Sequence, residues 1–296
     1  RIVGRMQYDL FHAYTVDLGR RRGPRGGRRS SRPARGNGPS GRASASPPIV
    51  RSAPMIPILR GLALVAWTYG LMAAMGLVTL PIVTLRPTLA RGVTRLYVRL
   101  VLGGARLIAG MTVEIRGEPP EGEALVASKH QSFLDVMLMV HALDRPRYVM
   151  KKSLLWAPIL GFYARRIGCV AIDRSNGGEA LRAMLSLSAK GLAEEPGQLI
   201  IYPHGTRVAP GDRKPYRAGA GALYVALEQG CVPAATNCGV FWPRKGLARH
   251  PGTAVLEFLP PIPPGLDQAE MLQRLEAEVE AASDRLLDEA RQASTA

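Results

Sequence analysis

"LVASKHQSFLDVMLMV", residues 125–140, changes character in its middle. Its first part belongs to "EALVAS" (123–128), a short apolar run of strand length with no polar face, the pattern of a strand covered on both sides. Its second part, "SFLDVMLMVHAL" (132–143), reads as a helix opening just after that strand. A strand that hands over to a helix is the repeating unit of an α/β fold. It also places His130 at the C-terminal edge of a strand, where open α/β sheets form their ligand crevices. Asp135, in the first helical turns, can fold back toward the imidazole, fix its tautomer and leave the other ring nitrogen free to take a proton. Spacing alone proves little, because "HAYTVD" sets His12 and Asp17 equally far apart with neither strand nor helix around them. From the residues alone, the 130–135 pair reads equally as an acid–base pair or as a structural polar contact.

Outward from this stretch the same alternation continues. Short apolar runs predict strands at "MTVEI" (111–115), "RYVM" (147–150), "GCVAI" (168–172), "QLIIY" (198–202), "CVPAATNCG" (231–239) and "TAVLEFL" (253–259). Between several of them lie helical patterns. In 179–193, Leu181, Leu185, Ser188 and Leu192 keep one face, behind the capping candidates Ser175 and Asn176. "KPYRAGAGALYVAL" opens a helix near Gly219, whose N-terminus offers a further place for an anion. Asp267 and Glu270 form a capping-box pattern ahead of a last helix, along which Leu272, Leu275, Val279 and Leu286 line one side. The fold class expected is α/β, with a mixed, largely parallel sheet flanked by helices over residues 111–296.

The N-terminal part differs. Residues 61–85 hold no charged residue, and about 20 apolar residues suffice to cross a bilayer core. Arg60 precedes this run and Arg86, Arg91, Arg95 and Arg99 follow it, a bias that favours a cytoplasmic C-terminal side. Pro81 and the apolar, Arg-punctuated segment 89–110 leave a second option: a helix pair dipping into one leaflet with its arginines at the headgroups. Residues 55–110 therefore read as a membrane-anchoring helical segment, a single helix or a pair. Residues 1–54 carry 12 Arg and 2 Asp, a net +10 of the chain's +16, in a composition of Arg, Gly, Ser and Pro that cannot bury enough apolar area to order itself. We read them as a disordered extension upstream of Met55. The remaining, mildly basic part suits a membrane surface or a phosphorylated substrate, and no nucleic-acid partner is expected. Cys169, Cys231 and Cys238 show no metal-ligand spacing, which predicts buried thiols in a reducing compartment and no metal site.

Three further strand ends carry polar groups. Arg174 follows "GCVAID"; Lys151 and Lys152 follow "RYVM"; and "LIIYPHGTRVAPGDRKPYRAGAG" runs from a strongly apolar strand into a Gly/Pro-rich loop. Backbone N–H groups around Gly205 and Thr206, the Thr206 hydroxyl and Arg207 together suit a phosphate, although each arginine taken singly also reads as a solvated loop charge.

Taken in order, these blocks resemble the glycerolipid acyltransferase family. Its first block, Asn-His-x4-Asp, is matched by "SKHQSFLD", with Lys129 in place of Asn. The second ends in an arginine after a strand, as "GCVAIDR" does, and the third, Pro-Glu-Gly-Thr-Arg, is matched by "PHGTR" at 203–207. The fourth is a strand with a Val-Pro centre, present in "GCVPAAT". The stretches "KKSLLWAPILGFYARRIG" and "FWPRK…PGTAVLEFLPPIPPGL" look like the bacterial 1-acylglycerol-3-phosphate acyltransferases, so the resemblance covers roughly residues 60–290.

The resemblance implies that His130 deprotonates the free glycerol hydroxyl of lysophosphatidate for attack on an acyl thioester, with Asp135 supporting the imidazolium and phosphatidate as product. Arg174, Arg207 and Lys152 would hold the substrate phosphate, with Gly205 and Thr206 shaping the site. The donor would be acyl-CoA or acyl-carrier protein, with no cofactor, at the cell inner membrane with the catalytic domain on the cytoplasmic side. His204 departs from the family pattern, since it stands where glutamate is usual and brings no negative charge. Three alternatives stay open: another lysolipid such as lyso-ornithine lipid, a non-catalytic lipid-binding relative, and a polyanion binder led by the Arg-rich tail.

Overall fold

The structure, a computed structural model, describes residues 55–173 and 177–294. The extension 1–54, the capping candidates Ser175 and Asn176, and Arg174 lie outside the described residues.

Two helices come first, α1 (Met55–Leu85) and α2 (Ala90–Ala109). The α/β part then runs β1 (Met111–Arg116), β2 (Ala124–Ser128), α3 (Leu134–Ala142), β3 (Pro146–Lys151), α4 (Pro158–Arg166) and β4 (Val170–Ile172). It continues with α5 (Gly177–Glu194), β5 (Gln198–Ile201), α6 (Gly219–Leu227), β6 (Cys231–Thr236), the single turn α7 (Cys238–Phe241), β7 (Gly252–Phe258) and α8 (Gln268–Ala293). Each of the seven strands coincides with an expected apolar run. The sheet order is β1-β7-β6-β2-β5-β3-β4, parallel throughout except for the antiparallel β6–β7 pair. It is the mixed, largely parallel sheet that the alternation predicts.

Strand periodicity sorts the core into two layers. Val126 and Ile200 face a cluster with α2 and α3, where Val101, Leu102, Leu134 and Leu138 are buried. Leu125, Ala127, Leu199 and Ile201 face the other way, onto Met184 of α5, Leu223 of α6 and Leu275 and Val279 of α8. Helices on both faces explain why the central strands are uniformly apolar. The capping box on α8 forms as expected: Asp267 Oδ1 accepts from Ala269 N–H at 2.8 Å and Glu270 N–H at 2.9 Å, and Glu270 reaches back to Asp267 N–H.

The N-terminal helices pair, and α1 is the one described helix long and apolar enough to cross a membrane. Its contacts run from end to end. Arg249 N–H donates to Pro57 O at 3.0 Å, Trp67 Nε1 donates to Leu100 O at 3.0 Å, and Thr79 Oγ1 lies 2.6 Å from the Tyr163 hydroxyl. Arg166 donates to Val83 O at 2.9 Å. Gly61 allows the closest approach, since a Cβ there would stand 1.5 Å from Leu247 O. At about 1.5 Å per residue, this 31-residue helix is roughly 46 Å long, and it is docked at both ends on the same α/β part. Its outward side stays apolar and exposed, at Leu62, Leu77, Val78 and Leu85.

The arginines of α2 correct one expectation. Arg91 pairs with Glu195 beyond the C-terminus of α5, and Arg95 donates to Leu143 O and to Asp144 Oδ1, each at 3.1 Å. These two fasten α2 to the α/β part rather than reaching for headgroups. A lipid phosphate would have to displace these carboxylate and carbonyl partners. Arg86 and Arg99 are exposed.

Candidate active site

The site follows from the sheet order. β2 and β5 are parallel neighbours, yet the helix after β2 packs on one face of the sheet and the helix after β5 on the other. Their outgoing loops must therefore part, which opens a crevice at the strands' C-terminal ends. His130 leaves β2 into this crevice and the 203–217 loop leaves β5 into it.

His130 Nδ1 lies 2.8 Å from Asp135 Oδ1. Asp135 is fully buried, and its Oδ2 accepts the Gln131 N–H at 2.8 Å and the Ser132 N–H at 2.7 Å. Three hydrogen bonds fix the rotamer of this buried carboxylate and satisfy both of its oxygens. An acceptor on Nδ1 holds the proton there and leaves Nε2 as the basic nitrogen. The local sequence builds this turn: Ser132 Oγ accepts from Leu134 N–H at 3.1 Å and donates to Trp242 O at 2.7 Å, while Gln131 Oε1 accepts from Gly239 N–H at 3.0 Å. The 130–135 segment is thereby tied to the exit of β6, and His130 keeps about a fifth of its side chain exposed.

The "PHGTR" loop joins directly. Val208 N–H donates to His130 O at 2.8 Å, and Arg217 N–H closes the loop on Pro203 O at 2.9 Å. Gly205 has φ of 65°, a left-handed conformation that glycine takes at no steric cost. Arg207 is half-buried, and Arg244 donates to its carbonyl at 2.8 Å. The structure thus ties the segment holding His130 and Asp135 to the loop holding Gly205, Thr206 and Arg207. Lys152 opens the turn after β3 on the same edge of the sheet, exposed and further along it, and Arg174 is outside the described residues.

Four residues go unassigned by the motifs. Tyr202 stacks on the His130 ring, centroids 4.1 Å apart and planes 21° from parallel. Its place at the end of a strand run was the only available signal. Arg217 lies against Gly205, where a Cβ would meet its Cδ and Nε at 3.1 Å, but in sequence it is one basic residue among several. Lys129 and Glu280 form a fully buried ion pair, Nζ to Oε2 2.6 Å, and Glu280 is hidden in the sequence as one more charge on an amphipathic helix. The thiols are as expected: Cys231 and Cys238 are buried and Cys169 half-buried, and burial pushes Cys169 up to about 11 and Cys231 up to about 12, which keeps them unreactive.

Residues 111–237 match the family model described as Acyltransferase. Over 165 residues the chain is 31% identical to a 1-acyl-sn-glycerol-3-phosphate acyltransferase of Pseudomonas aeruginosa, covering 55% of this chain and 64% of that protein. It is 32% identical over 170 residues to the human 1-acyl-sn-glycerol-3-phosphate acyltransferase alpha, covering 56% of this chain and 60% of that protein. The chain thus spans less than two thirds of the length of these relatives. Its fold is similar to that of the 1-acyl-sn-glycerophosphate (LPA) acyltransferase PlsC from Thermotoga maritima, with a TM-score of 0.63 at 20% identity over 78% of this chain and 97% of that one. The stretch that matches the Acyltransferase model, residues 111–237, holds His130, Asp135 and the 203–207 loop.

Proposed function

We propose that this protein transfers an acyl group from an acyl thioester to the sn-2 hydroxyl of 1-acyl-sn-glycerol 3-phosphate, forming phosphatidate. The observation that carries the reading is the Asp135-oriented imidazole of His130, a residue whose backbone carbonyl accepts from Val208 N–H at the end of the loop carrying Gly205, Thr206 and Arg207. The relatives named above are acyltransferases for this same substrate.

The chemistry needs few parts. His130 Nε2 removes the proton from the sn-2 hydroxyl as its oxygen attacks the thioester carbonyl carbon. The resulting imidazolium is held by the Asp135 carboxylate. The tetrahedral adduct then collapses, the C–S bond breaks, and the proton passes from His130 to the leaving thiolate. The substrate hydroxyl is the nucleophile, so no covalent enzyme intermediate is required. Arg207, with Arg174, Lys152, Gly205 and Thr206, holds the phosphate, and acyl-CoA or acyl-carrier protein serves as donor without a cofactor.

We further propose that α1 and α2 lie in one leaflet, on the cytoplasmic side of the inner membrane. Crossing the bilayer would require one end of α1 to leave contacts such as Arg249–Pro57 or Arg166–Val83. Trp156 and Leu154, exposed just before α4 and behind Lys151 and Lys152, add apolar and cationic groups suited to the same surface.

The purified full chain, in vesicles with labelled acyl-CoA and a panel of lysolipids, tests the reading. Labelled phosphatidate from lysophosphatidate is expected. Acylation of lyso-ornithine lipid instead, or of nothing, would overturn the substrate assignment.

A further inference from the structure

Two departures from the family pattern, Lys129 and His204, meet at one buried carboxylate. Glu280, on the inner side of α8, is 2% exposed. Its Oε2 lies 2.6 Å from Lys129 Nζ and 3.6 Å from Arg213 Nη1, and its Oε1 accepts from the Tyr216 hydroxyl at 3.2 Å and lies 3.8 Å from His204 Nε2. Lys129 Nζ also reaches Asp212 O at 3.5 Å, and its backbone N–H donates to Ala234 O at 3.1 Å. His204 packs edge-on against Tyr216, with ring centroids 4.6 Å apart. Neither buried charge is tolerable alone, because an unpaired ion in an apolar interior costs far more than a paired one.

The wiring of this cluster points at the site. Lys129 is the residue before His130. His204, Asp212 and Tyr216 all lie on the loop that follows β5. One carboxylate from the C-terminal helix therefore grips both walls of the crevice from below. His204 contributes no charge of its own: burial, the larger effect, holds its imidazole below the usual range, so the ring is neutral near pH 7.

We propose that Glu280 supplies, from α8, the negative charge that the "PHGTR" loop lacks, and that through Lys129 and Tyr216 it positions His130 and the phosphate-binding loop. The inference rests on the acyltransferase reading for its effect on turnover. Glu280 touches neither the reacting atoms nor the phosphate; it is a positioning residue. A consequence reverses what the family pattern alone suggests. Placing glutamate at 204 does not repair this site, because it sets a second carboxylate beside Glu280 with one buried lysine between them.

Four proteins test this: wild type, His204→Glu, Glu280→Gln, and the double variant His204→Glu/Glu280→Gln. For each, kcat, the KM values for lysophosphatidate and acyl donor, and the melting temperature are measured. Each single variant is expected to lose roughly 10–10²-fold in kcat/KM for lysophosphatidate, the scale of a small misplacement of reacting groups. The double variant, with one carboxylate in the cluster again, should recover most of that loss and most of the lost melting temperature. His204→Glu as active as wild type, or a double variant no better than Glu280→Gln, would overturn the proposal.

Lys129→Asn/Glu280→Gln covers the case in which Glu280→Gln alone does not fold. Removing both buried charges should restore folding while kcat/KM for lysophosphatidate stays depressed. Full recovery of activity there would make the cluster merely structural and end the proposal. A wild type without acyltransferase activity would sink the function and not the pairing, which the melting temperatures of the 204/280 variants still decide.

Discussion

Tyr202 lies flat against His130, ring centroids 4.1 Å apart, so the imidazole is held on its face by a stacked ring and at its edge by Asp135. The stack restricts rotation about the remaining free torsion of the histidine, and orientation of this kind is a large part of what an active site contributes. Tyr202→Phe should retain most of the wild-type kcat because it keeps the stacked face. Tyr202→Leu should lose about 10–10²-fold in kcat at little change in KM. Steady-state kinetics of the two variants separate the face of the ring from its hydroxyl. Equal activity in both would remove Tyr202 from the account.

Arg207 is expected to act on substrate binding. Loss of a charge-assisted contact is typically worth roughly 1.5–3 kcal/mol, or about 10–150-fold when it falls wholly on binding. Arg207→Ala should raise the lysophosphatidate KM by that order and move the acyl-donor KM much less. Arg174→Ala should behave in the same way. A kcat effect without a KM effect, for either, would assign the phosphate elsewhere.

His204 makes a prediction about acid. Burial lowers its basicity, with Lys129 adding to this and Glu280 opposing it, and Lys214 and Tyr216 are the other groups facing the ring. An imidazole that resists protonation in the folded state but not in the unfolded one binds fewer protons when folded. Stability therefore rises with pH across the affected range. Its contribution is complete above the ordinary value of 6.5 and is lost as the pH falls below it toward the folded value. The wild-type melting temperature should drop between pH 7 and pH 5, and the drop should be shallower in His204→Asn. His141 is held low as well, first by burial and then by Arg99, so His141→Asn measures its separate share of the same drop. Identical slopes for wild type and His204→Asn would show that His204 is not the group responsible.

The membrane surface is testable without truncation. Removing α1 and α2 would take Leu64, Val98, Val101, Leu102 and Ala105 out of the core, so loss of membrane binding could not be told from unfolding. Leu77 is 80% exposed and Leu62 47% exposed, so charges there leave the fold intact. A carboxylate carried into the hydrocarbon costs about 2.5–3.5 kcal/mol on insertion scales. Leu62→Glu/Leu77→Glu should melt like wild type yet float with vesicles at least about 10-fold less. Undiminished flotation would place the lipid contact elsewhere.

The parts legible in the sequence are those with local causes. All seven strands follow from short apolar runs ending in polar or turn residues, and the α8 start follows from Asp267 and Glu270 three positions apart. His130 and Asp135 were legible because a strand end and a helix start bracket them. Contacts that span the chain were not. Lys129 and Glu280 stand 151 residues apart, and nothing in the pattern around Glu280 marks it as the partner of a buried lysine. Arg91 and Arg95 looked like headgroup ligands because their partners, Glu195 and Asp144, reach them only through tertiary packing. The choice between a spanning helix and a docked pair had the same origin. The apolar run is equally long in both, and the contacts at the two ends of α1, on which the one-leaflet proposal rests, are made by residues far away in the sequence.

Asp135→Asn gives the most direct test of the central claim that His130 is the base and Asp135 its orienter. The amide is nearly the same shape. With its oxygen on the Gln131 and Ser132 N–H groups it must turn an NH2 toward His130 Nδ1, which puts the imidazole proton on Nε2, where the substrate proton has to go. Phosphatidate formation by wild type, His130→Ala and Asp135→Asn is measured with labelled acyl-CoA and lysophosphatidate, alongside their melting temperatures. Both variants are expected to fold and to bind lysophosphatidate, with turnover reduced about 10²–10⁴-fold. Turnover near the wild-type rate in either folded variant would contradict the account.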